Sequence, residues 1–511
     1  MVHARSLSVK LPDATYTGYH NVSSGLDVWL GLRYAAPPVG NLRWRAAQPA
    51  TRGDGVVNAT TMPIQCIQST AAWNATTSSE DCLYLNIYAP ANAKNLPVLV
   101  WIHGGSWDHN SATQFDPTPL IDLSGNRFVA VVVQYRLGVF GFLSGTRAIA
   151  DSNGLNAAIT DARFALQFVQ SNIGKFGGKK EDVTIWGQSS GGGTVLELVV
   201  QEGRLQRLTK QSLFKAAILS SPWFPALGKC SDPYFVDQFT NFTIAAGCWS
   251  NDPTDSGRLA CLRAAPTDTL KMLNYQMNKP LCGRVNYWTA CLEDYDADSG
   301  YLKIHPARAL RSGIVAGDFV IAGSNAADGT APANLSTSAL FESFLTANWP
   351  LTPDQLARIE SLYPASAFND GHARGVSVYQ DAIFSCGSTW ISQAFTIHKR
   401  SWRYLFGILP AVHAQDNAYE FPYWYNFRSP ASPSVFAAFG GAIANFTTTG
   451  NPNSKALNMT WPPSSSGSQM VFNMTSPANI SSTHTTSLFD PLSGTEERCK
   501  FWADVRIAGG W

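Results

Sequence analysis

A chain of 511 residues can bury a large core, and 45% hydrophobic against 14% charged residues suits a globular protein with few surface charges. The net charge of +1 provides neither the basic footprint of a nucleic-acid binder nor a field able to steer ionic substrates. No apolar stretch is long enough to span a bilayer as a helix, so no transmembrane segment is expected.

Met1 to Ser6 lack the apolar run of a signal peptide, so the chain reads as a mature form with a start Met added. The first half then alternates apolar runs with turns. Leu96 to Ile102 (LPVLVWI), Phe128 to Tyr135 (FVAVVVQY) and Val183 to Trp186 (VTIW) are short and almost wholly apolar, as strands buried on both faces of a mostly parallel sheet are. Between the second and third, Asp161 to Asn172 carries apolar residues at 162, 164, 165, 166, 168 and 169, a helix packed on a sheet. Strand, helix, strand is βαβ logic, so the fold class is α/β. Residues 222 to 310 hold five of the nine cysteines and no clear buried strand, and read as a mostly helical insertion within a single unit spanning 1–511. Strand-like runs return at Phe319 to Gly323 and Arg403 to Leu409. Thr389 to Arg400 reads as a helix, and the Ser/Asn/Thr-rich stretch 451–487 as an exposed, glycosylated or poorly ordered loop. The terminal Gly509-Gly510-Trp511 carries neither a retention tetrapeptide nor an anchoring tail.

The nine cysteines form no C-x-x-C pair, which argues against a structural zinc site and for disulfides in an oxidising compartment. N-x-S/T sequons at Asn21, Asn58, Asn74, Asn241, Asn334, Asn445, Asn458, Asn473 and Asn479 point the same way, toward a secreted protein.

Directly after VTIW comes Gly187-Gln188-Ser189-Ser190-Gly191-Gly192-Gly193, a G-x-S-x-G pattern, and then Thr194 to Gln201, a helical run. A nucleophilic serine must stand clear of the sheet on a tight turn, and flanking glycines let strand and helix approach. The helix N-terminus favours developing negative charge. A Gly/Ser turn would show the same letters in isolation, but its place between strand and helix selects the nucleophile. A phosphate loop would need G-K-[ST], which is missing. The run LPVLVWI leads into His103-Gly104-Gly105-Ser106-Trp107, small residues at a strand end whose backbone amides could hold the oxyanion of acyl transfer.

These motifs resemble the type-B carboxylesterase/lipase family, which includes cholinesterases and secreted fungal carboxylesterases. Pro37-Pro38-Val39-Gly40 with Arg43-Trp44, Glu80-Asp81-Cys82-Leu83-Tyr84-Leu85-Asn86, Gln134-Tyr135-Arg136-Leu137-Gly138 and Phe176-Gly177-Gly178 stand in the family's order and spacing. The resemblance covers nearly the whole chain and implies an α/β-hydrolase fold: a large, mostly parallel central sheet flanked by helices, with helical insertions. It implies a carboxylic-ester hydrolase with Ser189 as nucleophile, Asp328 of Gly323-Ser324-Asn325-Ala326-Ala327-Asp328-Gly329-Thr330 as triad acid, and His413 of His413-Ala414-Gln415-Asp416 as general base. His398 is the alternative histidine, in a helix at the wrong end of the sheet. Gly105, Ser106 and Ser190 are implied as oxyanion donors. The reaction passes through an acyl-enzyme and needs no metal or organic cofactor.

Three departures bear on substrate. Gln188 stands where the family commonly has Glu, which argues for neutral rather than cationic esters. The family pairs Cys66 with Cys82, and the segment between them is short, favouring a lid-free esterase over an interfacial lipase; Trp73 within it lines the pocket or packs. Cys248 with Cys261 fits a second family disulfide and Cys386 with Cys499 a third. Cys282 with Cys291 would close a local loop and leave Cys230 free, although connectivity does not follow from sequence. The expected partner is a small-molecule ester. An acyltransferase using the same triad and a lipase are alternatives, and a non-catalytic adhesion relative is disfavoured because all three triad residues are present.

Overall fold

A computed structural model describes residues 7–70, 76–249, 253–278, 287–296, 300–396, 400–421, 432–457, 459–476, 479–485 and 495–509. Eleven strands form its main sheet: β1 Tyr19–Asn21, β2 Leu26–Arg33, β3 Tyr84–Pro90, β4 Leu96–Ile102, β5 Val129–Val133, β6 Gly178–Gln188, β7 Ala216–Ser220, β8 Phe319–Asn325, β9 Arg400–Phe406, β10 Gln469–Ser476 and β11 Asn479–Thr485. Their spatial order is β11-β10-β9-β8-β7-β6-β4-β5-β3-β2-β1. Pairing is parallel from β10 through to β5 and antiparallel at both edges.

The apolar runs become central strands because alternate side chains bury on opposite faces. Val98, Val100 and Ile102 of β4 join Val129, Val131 and Val133 of β5 and Val183 and Ile185 of β6 on one face. Leu99, Trp101, Ala130, Val132 and Trp186 bury on the other. Helix α1, Ala157–Asn172, joins β5 to β6 and sets Ala158, Ala162, Ala165, Leu166 and Val169 against the first face. Helix α2, Ser190–Thr209, packs beside it after β6. The sequence locates both helices but starts each four residues late, where small residues blur the periodicity, and ends the second at Gln201, eight residues short of Thr209.

Several signature residues are structural ties. Arg43 forms a two-pronged ion pair with Glu80, 2.6 Å on each prong, and donates to Ala265 O at 2.6 Å. Arg136 does the same with fully buried Asp161 on α1, at 2.7 Å on each prong. Buried pairs of this kind cost desolvation and hold together only with such geometry. They tie the N-terminal segment to the segment before β3 and to the 222–310 region, and the connection after β5 to α1.

Residues 222–310 contribute helices α3 Pro233–Ala245, α4 Asp255–Ala264, α5 Thr267–Met277 and α6 Pro306–Arg311. The disulfides are Cys66–Cys82, Cys248–Cys261, Cys386–Cys499 and Cys230–Cys291. The last corrects the expected Cys282–Cys291 loop and the free Cys230. Lys229 and Leu292 form a parallel bridge and Cys230 N–H donates to Leu292 O at 2.9 Å, which lays the two cysteines side by side. Cys282 lies outside the described residues, as do Trp73 and His398.

Within 451–487 the expected loop is corrected at its C-terminal part, where β10 and β11 pair antiparallel on the sheet edge. Met470 and Phe472 alternate into an aromatic cluster where Phe472 lies 4.9 Å from Phe439 and 5.5 Å from Trp461. Its Ser/Thr-rich composition masked this two-residue period. Of the expected 389–400 helix, the residues up to Thr396 belong to the helix Cys386–Thr396, whereas Arg400 already begins β9, three residues before the apolar run that marked it. Among the described residues no helix is long and apolar enough to cross a membrane.

Trp101 anchors the second face, with ring centroids 4.7 Å from Trp186, 5.0 Å from Phe115 and 4.6 Å from Phe421. Trp101→Ala is expected to cost about 3–5 kcal/mol, read as a lowered urea midpoint.

Candidate active site

Ser189 sits between β6 and α2 with φ 56° and ψ −125°, a backbone region that L-residues avoid and that the surroundings must impose. Hydrogen bonds hold it there: Ser189 N–H donates to Ser220 O at 3.0 Å, and Trp223 N–H donates to Ser189 O at 2.8 Å. Gly191 lies against the carbonyls of Ile102 and His103, so any side chain there would push helix and strand apart.

The two partners come from neighbouring strand ends. Asp328 follows β8 and His413 follows β9. His413 Nε2 is 2.8 Å from Ser189 Oγ, and His413 Nδ1 is 2.8 Å from Asp328 Oδ1. Asp328 is buried and its other oxygen accepts from Ser221 Oγ at 2.8 Å and Asn325 N–H at 2.7 Å. Aspartate is short for this span, and the backbone makes up the distance. Ala327 and Val412, each one residue from the acid and the base, form a parallel bridge, with Ala327 N–H donating to Ala411 O at 2.8 Å, so the two loops are tied together beside the relay. The Phe384 ring packs 4.6 Å from the His413 ring, fixing its plane.

The loop after β4 lies against the serine. A side chain on Gly104 would come within 2.6 Å of Gln188 O and 3.1 Å of Ser189 Cβ. Gly105 and Ser106 both have positive φ, 111° and 58°. Trp107 N–H donates to Ser190 Oγ at 3.0 Å, stitching this loop to the first turn of α2. Gly105, Ser106 and Ser190 are thus brought around Ser189. From the 222–310 segment, Asn278 Nδ2 donates to Asp108 Oδ2 at 3.0 Å and braces the far end of the loop. His103 beneath it is buried and stacked 4.5 Å from Tyr135, and burial pulls its imidazole down to about 4, so it stays neutral.

Gln188 places its amide nitrogen 3.4 Å from His413 Nε2, while Asn417 Nδ2 donates to its oxygen at 3.3 Å. The neutral side chain expected next to the serine therefore also touches the histidine.

Sequence reasoning gave no role to a second layer. Asp416 is fully buried, accepts from Asn325 Nδ2 at 3.0 Å and from Tyr404 OH at 2.9 Å, and through Asn325 is linked to Asp328. Burial, then the Asp328 charge, push its carboxyl up to about 6. Nearby Glu420 is raised well above the usual carboxyl range, chiefly by burial and then by Asp416, with Ser220 Oγ hydrogen-bonded to it at 3.0 Å. The signal available was Asp416 three residues after His413. Only the fold shows that its carboxyl turns inward.

A sheet of this topology with a strand–serine–helix turn at its edge defines an α/β-hydrolase, and the class is the serine carboxylic-ester hydrolase. The chain belongs to the carboxylesterase family, whose sequence profile matches residues 7–502. It is 29% identical over 459 residues to secreted lipase 4 of Gibberella zeae, covering 84% of this chain and 80% of that protein. It is 36% identical over 270 residues to human cocaine esterase, covering 49% of this chain and 45% of that enzyme. The crystal structure of EstA from Aspergillus niger superposes with a TM-score of 0.84 at 25% identity, covering 98% of each chain.

Because the folded state raises Asp416 from 3.8 to about 6, it holds that proton more tightly than the unfolded chain does. The resulting stability is complete below about pH 4 and is lost as pH rises through about 6. Asp416→Asn is expected to remove this decline, checked by urea unfolding at stepped pH from 4 to 7, each variant against wild type.

Proposed function

We propose that the protein hydrolyses neutral carboxylic esters through an acyl-enzyme formed on Ser189. The observation that carries this is the unbroken relay from buried Asp328 through His413 to Ser189 Oγ, at 2.8 Å on each link. His413 takes the serine proton as Ser189 attacks the ester carbonyl, while Asp328 holds the ring and its tautomer. The amides of Gly105, Ser106 and Ser190 hold the oxyanion. His413 then protonates the departing alcohol, and water repeats the cycle to release the acid. Neutral Gln188 beside the serine favours uncharged substrates.

Four disulfides, with a relative named as a secreted lipase, support a secreted protein acting outside the cell. We read 1–511 as one unit in which 222–310 is a helical insertion. A lipase is the second reading. It is favoured by exposed Leu409 and Val412, 84% and 48% accessible, on the loop that carries His413. Product analysis with an added alcohol acceptor separates hydrolysis from acyl transfer.

A panel of nitrophenyl esters of graded acyl length tests the proposal. Ser189→Ala is expected to lower kcat by about 10⁶-fold without loss of fold. Full activity in that variant defeats the mechanism. Saturation kinetics that show no jump above the solubility limit identify an esterase, and a sharp rise there identifies a lipase. Gly104→Ala, whose methyl would press on Gln188 O and Ser189 Cβ, is expected to lower kcat by about 10²-fold or more and, because the backbone must shift, to lower the urea midpoint by about 1–3 kcal/mol of stability.

A further inference from the structure

Four of the fourteen exposed large hydrophobic side chains among the described residues fall within nine residues of chain: Val56, Val57, Met62 and Ile64, at 71%, 40%, 43% and 38% exposure. Apolar side chains scattered singly over a surface are ordinary, whereas a cluster calls for a cover. The cluster starts on the strand Gly55–Asn58, an outer strand of a small three-stranded sheet, which pairs in parallel with Ala14–Thr17. All four residues of the strand are exposed, so its outer edge is open to pairing with another strand. Proteins blunt such edges with charge or proline, and Gly55-Val56-Val57-Asn58 has neither. It ends instead on a sequon, Asn58-Ala59-Thr60. Side chains two residues apart on a strand share a face at about 7 Å, so Asn58 stands on the side of Val56. Val57 lies on the opposite side, beside its buried pairing partner Tyr16. Asn58 and Thr60 are exposed, and Ala59 between them is buried with its N–H donated to Thr17 O at 2.8 Å. The backbone of the sequon is therefore fixed while its amide and hydroxyl side chains face solvent.

We propose that Asn58 is N-glycosylated and that its glycan covers this edge. The donor is an oligosaccharide carried on a lipid diphosphate. Asn58 Nδ2 forms a C–N bond to the anomeric carbon of the first N-acetylglucosamine, the bond from that carbon to the diphosphate oxygen breaks, and one amide proton leaves with the diphosphate. The C–H face of that sugar lies over Val56, and the hydrated bulk beyond it keeps a second strand from the edge. Asn445 is the opposite case. Its sequon, Asn445-Phe446-Thr447, lies in the helix Gly441–Thr449, where Asn445 Nδ2 donates to Asn451 O at 2.9 Å and to Asn453 O at 3.0 Å. A glycan there would break both bonds, and Thr447 beside it is buried, so this sequon stays bare. The assignment of Asn58 rests on the reading of the protein as secreted and is independent of ester hydrolysis.

The test begins with protein isolated from the extracellular and the cytosolic fractions of its source cells. Peptide N-glycosidase in heavy-oxygen water converts each glycosylated asparagine to a labelled aspartate, and peptide mapping is expected to find the label at Asn58 and not at Asn445. Light scattering then compares wild type with Asn58→Gln. The variant is expected to show a weight-average mass raised by about twofold or more, returned to the wild-type value when Val56→Lys is added to charge the bare edge. If Asn58→Gln fails to fold, Thr60→Ala, which removes the sequon and keeps the asparagine, decides. An unlabelled Asn58 in extracellular protein overturns the proposal and leaves the secreted reading intact, whereas protein found only in the cytosol sinks both. A labelled Asn58 whose removal leaves the mass unchanged overturns the covering role.

Discussion

Four parallel strands in strict register are the constraint on which the site depends. Gln188 pairs beside Ser220, Ser220 beside Gly323, and Gly323 beside Tyr404. Each strand runs out at the same edge within a few residues of these positions. Nucleophile, supporting serine, acid and base therefore emerge together although they span 224 residues of sequence. A one-residue slip would turn every side chain to the opposite face and break the relay.

That edge is under strain. Ser189, Ser221, Ser106 and Trp107 all have positive φ without being glycine. Three of them are held by a backbone or hydroxyl contact to a neighbouring segment: Ser221 Oγ to Asp328, Trp107 N–H to Ser190 and Ser189 N–H to Ser220. The surrounding rigidity comes from both faces of the sheet being filled, by aliphatic side chains and α1 and α2 on one and by aromatic rings on the other. A serine can be kept in an unfavourable conformation only where its neighbours cannot relax.

Behind the relay lies an acidic layer of Asp328, Asp416 and Glu420, with Asn325 and Ser220 as neutral spacers. Three carboxyls so close cannot all ionise cheaply. Asp328 is the one held by His413, Ser221 and Asn325 N–H, while Asp416 and Glu420 are shifted toward their neutral forms.

Local pattern sufficed for the central strands, the elbow at Ser189 and the amide loop at 104–106, because buried parallel strands are continuously apolar and tight turns need small residues. Family resemblance supplied Asp328, His413 and three of the four disulfides as expectations. The edge hairpin at 469–485 escaped notice because its two-residue period is diluted by Ser and Thr. The Cys230–Cys291 pairing, the inward turn of Asp416 and the meeting of Ala327 with Val412 were decided by tertiary structure alone. Each joins segments distant in the chain, and their proximity is set by strand order and register, which no local run of residues encodes.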